Sequence, residues 1–546
     1  MIYLTTFLIS MFTTIVLIPI FAGLAGRLKA LDMPNERKVH TIPIPKVGGI
    51  AMALGIVIPI LLWAPVNQFV RSVMVASWII VVFGVIDDLI NMNYKVKFIG
   101  QIAATMVVIF YGDLTINSLG GMLPESYELP RFLSILITLI VIVGVTNAIN
   151  LSDGLDGLAG GICLLSFICL GYLSYRQGYQ DPIIFSVAMI GAILGFLRFN
   201  TYPASVFMGD AGSQLLGFIF ITLSLGLTQK GSNLNPVLPL VFMALPILDT
   251  LNVMAERIME GRWPFHPDKK HMHHKLLALG FYHNESVLLI YIYHAFFVTS
   301  GFLFRHYSEW FLLSYYVIFS SLAVSLLWIF NQRGWNRRRY RFIDLVIKGR
   351  LRVLKEKQII VKISFCLVQV LAPVILVFSC LVPAGIPDYF ALFAILFLIA
   401  LLLFKHVKKS WQVYLLRIPP FLMIPFIIYL GEENAAAWLQ TDYIRFYNLS
   451  FGVLVFFILL TLRFSRRQAF KSTPMDFLIL FIALVVPNLP DTQIQSFRMG
   501  LVAAKIIALF FSFEVLIGEL RSDYEKLIPY LFTALLVILV RAYFGI

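Results

Sequence analysis

The chain has 546 residues, of which 60% are hydrophobic and 13% charged, with a mean hydropathy of +0.87. Soluble domains average roughly 45–50% apolar and about 25% charged residues, so the composition excludes a soluble enzyme and predicts an all-α integral membrane protein, a polytopic helical bundle. The formal charge of +14 does not imply nucleic acid, because Lys and Arg accumulate in the cytoplasmic loops of membrane proteins.

In chain order, at roughly 20 apolar residues per span, the pattern predicts helices near 2–26, 48–64, 73–89, 98–111, 132–149, 158–175, 182–197, 213–228, 237–255, 285–304 and 310–330. Seven more follow beyond residue 362, giving about eleven spans in a core, about seven in a C-terminal module and about eighteen in all. Met1–Gly26 lacks a basic n-region and is long for a signal peptide, which predicts a retained first span. Alternate loops collect Arg27, Lys29, Arg37, Lys38, Lys46, Lys95, Lys97, Arg198, Arg257, Arg262, Lys269, Lys270 and Lys275, against Arg71, Arg131, Arg176, Lys230 and Arg305 on the other side. The first set is the cytoplasmic side, with the N-terminus outside. The outer loop 111–131, with its Gly-Gly pair between short runs, predicts a small hairpin. Cys163, Cys169, Cys366 and Cys380 all fall in predicted spans and suggest neither a disulfide framework nor a metal cluster.

The domain organisation that follows is a core over 1–332, a basic linker over 333–362 and a C-terminal membrane module over 363–546. Residues 340–357 mix Phe342, Leu345, Val346, Leu351 and Leu354 with basic side chains. They read either as an interfacial helix drawn to anionic lipid headgroups or as a basic loop that only fixes topology. The C-terminal module carries no readable motif. Arg417, Lys505 and Glu514 fall within or near its spans, where charges are functional candidates; snorkelling near a span end is the simpler account.

All site chemistry lies in the core. Asp87 and Asp88 end the third span on the inner side, NAINLSDGLDGLAGG (147–161) ends the fifth, FMGDAGS (207–213) follows the seventh, and PFHPDKKHMHHKL (264–276) follows the ninth. Singly, each has a bland alternative: Asp-Asp as a solvated helix end, GDAGS as a turn with Ser213 helping to cap it, the histidines as a solvated loop. Together, four such segments on one side of the membrane point to one shared cytoplasmic site. Carboxylates beside Asn, Gly and basic residues suit Mg²⁺, a hard cation commonly held by one or two carboxylates and substrate phosphates, with Mn²⁺ as the alternative ion. Lys46, Lys97 and Lys269 or Lys270 supply charge for phosphates. His271, His273 and His274 lack an H-x-x-x-H spacing and have no accompanying cysteine, which argues against zinc.

At RKVHTIPIPKVGGIA (37–51), DD-L with KFIGQ (87–101), NAINLSDGLDGLAGG, FMGDAGS, LPILDT (245–250) and HPDKKHMHH (266–274), the chain resembles the polyprenyl-phosphate N-acetylhexosamine-1-phosphate transferases, glycosyltransferase family 4. Among them it is most similar to the undecaprenyl-phosphate N-acetylglucosamine-1-phosphate transferases. The resemblance covers roughly the first 330 residues. It implies transfer of N-acetylglucosamine 1-phosphate from a UDP-amino sugar, UDP-N-acetylglucosamine or another N-acetylated sugar, to undecaprenyl phosphate in a bacterial inner membrane. UMP is released and a surface polysaccharide is initiated; the family's cores are often paired as homodimers.

The resemblance further implies Asp210 as first metal ligand, with Asp153 and Asp156 near the metal or nucleotide and Asn147 and Asn150 orienting that loop and the substrate. It makes Asp87, with Asp88 beside it, the candidate for accepting the proton of the lipid phosphate, or else a support for Mg²⁺ or a lysine. Lys46, His40 and Lys97 fall to the phosphates, and Lys269, Lys270, His271, His273 and His274 to the pyrophosphate or sugar. Asp249 of LPILDT is assigned nothing beyond a supporting role. A transporter is the alternative of a different class, but carriers place their sites near the midplane, whereas these carboxylates sit at span ends.

Overall fold

The computed structural model of the chain describes residues 2–27, 30–33, 43–90, 92–124, 129–230, 234–264, 270–333, 359–404, 409–436, 441–464, 499–520 and 526–544. They form two compact units, one within Met1–Arg339 and the other within Tyr340–Ile546. Among the described residues, nine helices are long and apolar enough to cross a bilayer, and several apolar helices are shorter. The one named sheet among them is a two-residue antiparallel pair, β1 (Leu31–Asp32) with β2 (Ile44–Pro45). The protein is therefore an all-α, multi-pass membrane protein.

The first unit contains α1 (Ile2–Ala25), α2 (Gly48–Trp63), α3 (Gln68–Ile90), α4 (Tyr94–Met106), α5 (Arg131–Ser152), α6 (Leu158–Gln177), α7 (Gln180–Asn200) and α8 (Gly209–Gln229). It continues with α9 (Leu238–Phe242), α10 (Ala244–Met259), α11 (Met272–Ala278), α12 (His283–Leu303) and α13 (Glu309–Gln332). α6, α7 and α8 are buried nearly all round and form its centre, as expected of helices apolar on every face. Close packing is carried by small residues, as is usual between membrane helices. A Cβ on Gly49 of α2 would stand 2.3 Å from Gly212 N, and one on Gly84 of α3 would stand 2.4 Å from Ala211 Cα. Two backbones are thus pressed against the first turn of α8, the turn that carries Asp210.

The span expected over 237–255 is broken at Met243. Pro246 has no N–H to return to the Phe242 carbonyl one turn back, and its ring crowds that position. Ser166 Oγ donates to Phe242 O instead (2.8 Å), so the break carries no unsatisfied carbonyl. Beyond it α10 is strongly amphipathic. It buries Pro246, Asp249, Val253 and Arg257 while Leu251, Ile258 and Met259 are exposed.

The hairpin expected in the outer loop does not show as strands among the described residues. Among its described residues there is no strand, only a 3₁₀ turn at Gly120–Met122. Its amides are taken by side chains: Ile116 N donates to Thr138 Oγ1 (2.8 Å) and Asn117 N to Gln229 Oε1 (3.1 Å). The helix expected over 340–357 and the span expected near 474–487 lie outside the described residues.

The second unit packs helices Ile359–Ser379, Tyr389–Leu402, Lys409–Glu433, Thr441–Phe464, Met499–Leu520 and Ile528–Phe544 around an apolar core that includes Leu376, Leu454, Leu509 and Ala534. Lys505 does not snorkel. It is buried and ion-paired with Glu432, with its ammonium 4.2 Å from the Tyr447 ring centroid. The side chains of Arg417 and Glu514 lie outside the described residues.

Gly84→Ala should force the α3 and α8 backbones apart. Overpacking of this kind costs typically about 1–3 kcal/mol, so the detergent-solubilised variant should melt several degrees below wild type, as read by thermal-shift fluorescence.

Candidate active site

The site is assembled at the start of α8. Gly209 has φ +69°, the region open to glycine, and a Cβ there would lie 2.3 Å from Asp88 Oδ2. This turn aims the first amides of α8 at the end of α3. Asp210 N donates to Asp88 Oδ1 (3.0 Å) and Ala211 N to Asp88 Oδ2 (3.2 Å). A carboxylate in this position satisfies two of the helix's orphan donors and complements its dipole. Asp88 therefore acts as the N-cap of α8, supplied from another helix.

Asp210 is oriented at both oxygens. Asn150 Nδ2, from the last turn of α5, donates to Asp210 Oδ1 (2.6 Å) and to Ser213 Oγ (2.9 Å), while Lys97 Nζ lies 3.4 Å from Asp210 Oδ2. Lys97 is also ion-paired with Asp87, whose other oxygen accepts from Met92 N (2.7 Å). Lys46 approaches from the opposite side, 3.3 Å from Asp32 Oδ1 and 3.9 Å from Asp88 Oδ1. It is held there because Phe207 N donates to Pro45 O (2.8 Å) and Gly48 N to Phe207 O (3.0 Å). Segment 44–49 is thus stitched to the entrance of α8.

Asp153 and Asp156 have different surroundings. Asp156 Oδ2 accepts from Ala204 N (2.9 Å), and its own N donates to His283 Nε2 (3.1 Å), whose ring stacks on Tyr202. Asp156 therefore ties loops together. Asp153, at the C-terminal cap of α5, faces other carboxylates. Burial pushes it up to about 8, and repulsion from Asp210, Asp156 and Asp88 adds to the rise. Asn147 lies off the carboxylate cluster: its Nδ2 donates to Gln101 Oε1 (2.6 Å), and Gln101 Nε2 donates to Gln214 Oε1 (3.0 Å).

The histidine segment reaches the cluster through glycine. A Cβ on Gly154 would lie 2.2 Å from His273 Nε2, so the Asp153-Gly154 turn and His273 are in direct contact. Burial pulls His273 down to about 3, with neighbouring His274 reinforcing the shift, so His273 is a neutral ring at physiological pH. His271 faces elsewhere: its Nδ1 lies 2.8 Å from Asp249 Oδ2, and Met272 N donates to Asp249 Oδ1 (2.7 Å). Glu256 of α10 and Glu260 at its C-terminal cap hold basic residues of the same segment, Glu256 with Lys275 (2.5 Å) and Glu260 with Lys270. His40 and Lys269 lie outside the described residues.

Sequence reasoning missed five participants. Gln101 and Gln214 organise Asn147; the signal for Gln214 was its place one turn beyond Asp210. Glu256 follows Asp249 at helical spacing on α10 and Glu260 caps that helix, and Asp32 shares Lys46.

Beside this cluster an apolar groove of about 1240 Å³ runs between α4, α5, α8, α9 and α10. Ile116, Leu119 and Met122 line one end, and Asn147, Arg257 and His271 the other. Among the described residues, no group of three or more His, Cys, Asp or Glu side chains converges to hold a metal ion unaided. Asp210 and Asp153 fit a Mg²⁺ site of the kind completed by substrate phosphates, and the crowding of carboxylates around Asp153 is what a divalent cation would relieve.

The sequence profile of glycosyl transferase family 4 matches residues 70–228. The "Probable undecaprenyl-phosphate N-acetylglucosaminyl 1-phosphate transferase" of Bacillus subtilis (strain 168) is 32% identical over 332 residues, 60% of this chain and 92% of the relative. The chain belongs to glycosyl transferase family 4. The "Undecaprenyl-phosphate alpha-N-acetylglucosaminyl 1-phosphate transferase" of Escherichia coli (strain K12) is 32% identical over 360 residues, 64% of this chain and 95% of its own. The "Decaprenyl-phosphate N-acetylglucosaminephosphotransferase" of Mycobacterium leprae (strain TN) is 37% identical over 302 residues, 50% of this chain and 75% of its own. In this family 4 transferase the profile takes in Asp87 through Asp210, while Lys46 and the histidine segment lie outside it.

Asp153 gives a pH signature with a defined sign. Its unfolded carboxyl ionises near 3.8 and its folded one near 8. Its contribution to stability is therefore complete below the lower value and lost as pH rises through the window between them. Without divalent cations, the melting temperature of the purified protein should fall from pH 5 to about pH 8. Asp153→Asn should flatten that slope, and saturating Mg²⁺ should oppose it.

Proposed function

We propose that this protein transfers N-acetylglucosamine 1-phosphate from UDP-N-acetylglucosamine to undecaprenyl phosphate at the cytoplasmic face of a bacterial inner membrane, releasing UMP and initiating a surface polysaccharide. The observation that carries the reading is that the last turn of α5 borders two chemically opposite compartments. Asn150 and Asp153 face the carboxylate and lysine cluster, while Asn147 and Leu151 line the apolar groove. A reaction joining a polyprenyl phosphate to a nucleotide sugar needs that adjacency. The groove takes the chain of the acceptor, and the cluster takes the donor pyrophosphate. The names carried by the relatives agree with a polyprenyl phosphate acceptor and with N-acetylglucosamine 1-phosphate as the group transferred.

Phosphoryl transfer asks the protein mainly to position groups and to neutralise charge. Asp210 and Asp153 would hold Mg²⁺, with Mn²⁺ as the alternative; when bound, the ion would neutralise the donor's phosphate oxygens. Asn150 fixes the Asp210 carboxylate and Asp88 fixes the turn beneath it. Lys97 and Lys46 supply positive charge for phosphates, and Asp87 holds Lys97 rather than standing open as a base. His273, His274 and Lys269 belong to the donor side. The acceptor oxygen attacks the sugar-bearing phosphorus directly. Its second ionisation lies near pH 6 by analogy with phosphoester side chains, so much of it is already dianionic at neutral pH.

With purified protein, UDP-N-acetylglucosamine, undecaprenyl phosphate and Mg²⁺, UMP should be released. Asp210→Asn should reduce the rate at least about a hundredfold, the scale of losing an electrostatic contact to developing charge, and Asp153→Asn should act similarly. Asp156→Asn should lower melting temperature more than turnover. Near-wild-type turnover of Asp210→Asn would remove it from the metal site. For sidedness, Met259→Cys in a background lacking the native cysteines should react with an impermeant thiol reagent only when the cytoplasmic face is accessible. Labelling of intact cells would place the site on the other side.

A further inference from the structure

Asp249 and His271 form a unit that the donor site does not use. Asp249 lies on the buried face of α10 and spends both oxygens on the histidine segment, one on the ring Nδ1 of His271 and one on the backbone N–H of Met272. The second bond caps α11; the first fixes the imidazole. With Nδ1 turned to the carboxylate, Nε2 is the nitrogen left to work on the other side of the ring. His271 also lines the apolar groove, at a polar end it shares with Asn147, Thr250, Arg257 and Trp263. His273 faces the Asp153-Gly154 turn instead, and the two rings are parallel with centroids 5.9 Å apart. The histidine motif therefore serves two compartments.

We infer that the Asp249–His271 dyad binds the phosphate of the lipid acceptor at the polar end of the groove and accepts its last proton, with Asp249 as the positioning residue. A carboxylate behind an imidazole, with the far nitrogen open to the reacting group, is the arrangement by which histidine acts as a general base. The hydrogen bond between Nε2 and a phosphate oxygen exists whichever atom carries the proton, so the dyad suits both ionisation states of the acceptor. Asp87, the other base candidate, is engaged by Lys97 and by Met92 N. Asp249 and His273 stand against the His271 ring, Arg257 lines the same groove, and Lys270, His274 and Lys275 flank it on the same segment, with Lys270 and Lys275 held by Glu260 and Glu256.

In the reaction, the acceptor oxygen forms its bond to the sugar-bearing phosphorus as its proton passes to Nε2. The bond from that phosphorus to the bridging oxygen breaks, and UMP leaves with the electron pair. The proton then passes to UMP or to solvent.

The inference rests on the transferase reading, and turnover by the wild-type protein tests that reading whatever the dyad does. The test compares His271→Gln and Asp249→Asn with wild type between pH 5.5 and 8.5, varying undecaprenyl phosphate and UDP-N-acetylglucosamine separately. UDP-N-acetylglucosamine affinity is measured directly by titration. Both variants should bind the donor as wild type does, which also reports an intact site. Both should raise the acceptor KM and lower kcat at least about tenfold at pH 5.5, a modest share of what a general base contributes. The loss should shrink towards pH 8.5, where the acceptor has already lost its proton. If Asp249→Asn fails to fold, His271→Gln decides alone. A loss confined to the donor KM, a loss independent of pH, or no loss would overturn the assignment.

Discussion

The carboxylate of Asp88 closes the open amide end of α8, and the catalytic end of the bundle is organised around that contact. The first amides of a helix have no partner of their own, and in a membrane protein water is a poor substitute near the apolar boundary. Asp88 supplies the missing acceptors from α3, which ties two distant parts of the sequence at one point. The contact demands a left-handed residue before Asp210 and no Cβ in the space Asp88 occupies, so Gly209 follows from it. It also demands that α2 and α3 come very close to α8, which Gly49 and Gly84 permit.

The chemistry inherits that geometry. Asp210 stands on the turn that Asp88 caps, and Asn150 and Lys97 are within reach because α4 and α5 flank the same turn. Carboxylates are expensive near hydrocarbon, and here each has a distinct occupation. Asp88 caps a helix, Asp87 holds a lysine, Asp156 joins two loops and Asp249 anchors a histidine. The carboxylate of Asp153 has no hydrogen bond or ion pair among the described residues, and burial pushes it up to about 8.

Much of this was legible in the sequence because the membrane restricts what a chain can do. Hydrophobic runs mark helices, and the Lys/Arg bias puts Asp87, Asp153, Asp210 and His271 on one side before any contact is known. Individual roles were less legible. Asp87 and Asp88 are adjacent in sequence, yet one pairs with a lysine and the other caps a helix 122 residues away; nothing local distinguishes them. Asp249 gave no sign of its function because its partner lies 22 residues on. The break at Met243 was readable in principle from Pro246, but unbroken hydrophobicity hid it. Asn147, expected to orient its loop and the substrate, belongs to a Gln101 and Gln214 network and lines the groove.

The central claim is that one site at the end of α8 takes the donor's pyrophosphate and its metal, next to a groove for the acceptor. A cryo-EM map of the protein in lipid nanodiscs with UDP-N-acetylglucosamine and Mn²⁺ tests it most directly. The account predicts density for the ion against Asp210, with the pyrophosphate between the Asp153-Gly154 turn, Lys97 and His273. Nucleotide density anywhere else, or an ion away from Asp210 and Asp153, would contradict it.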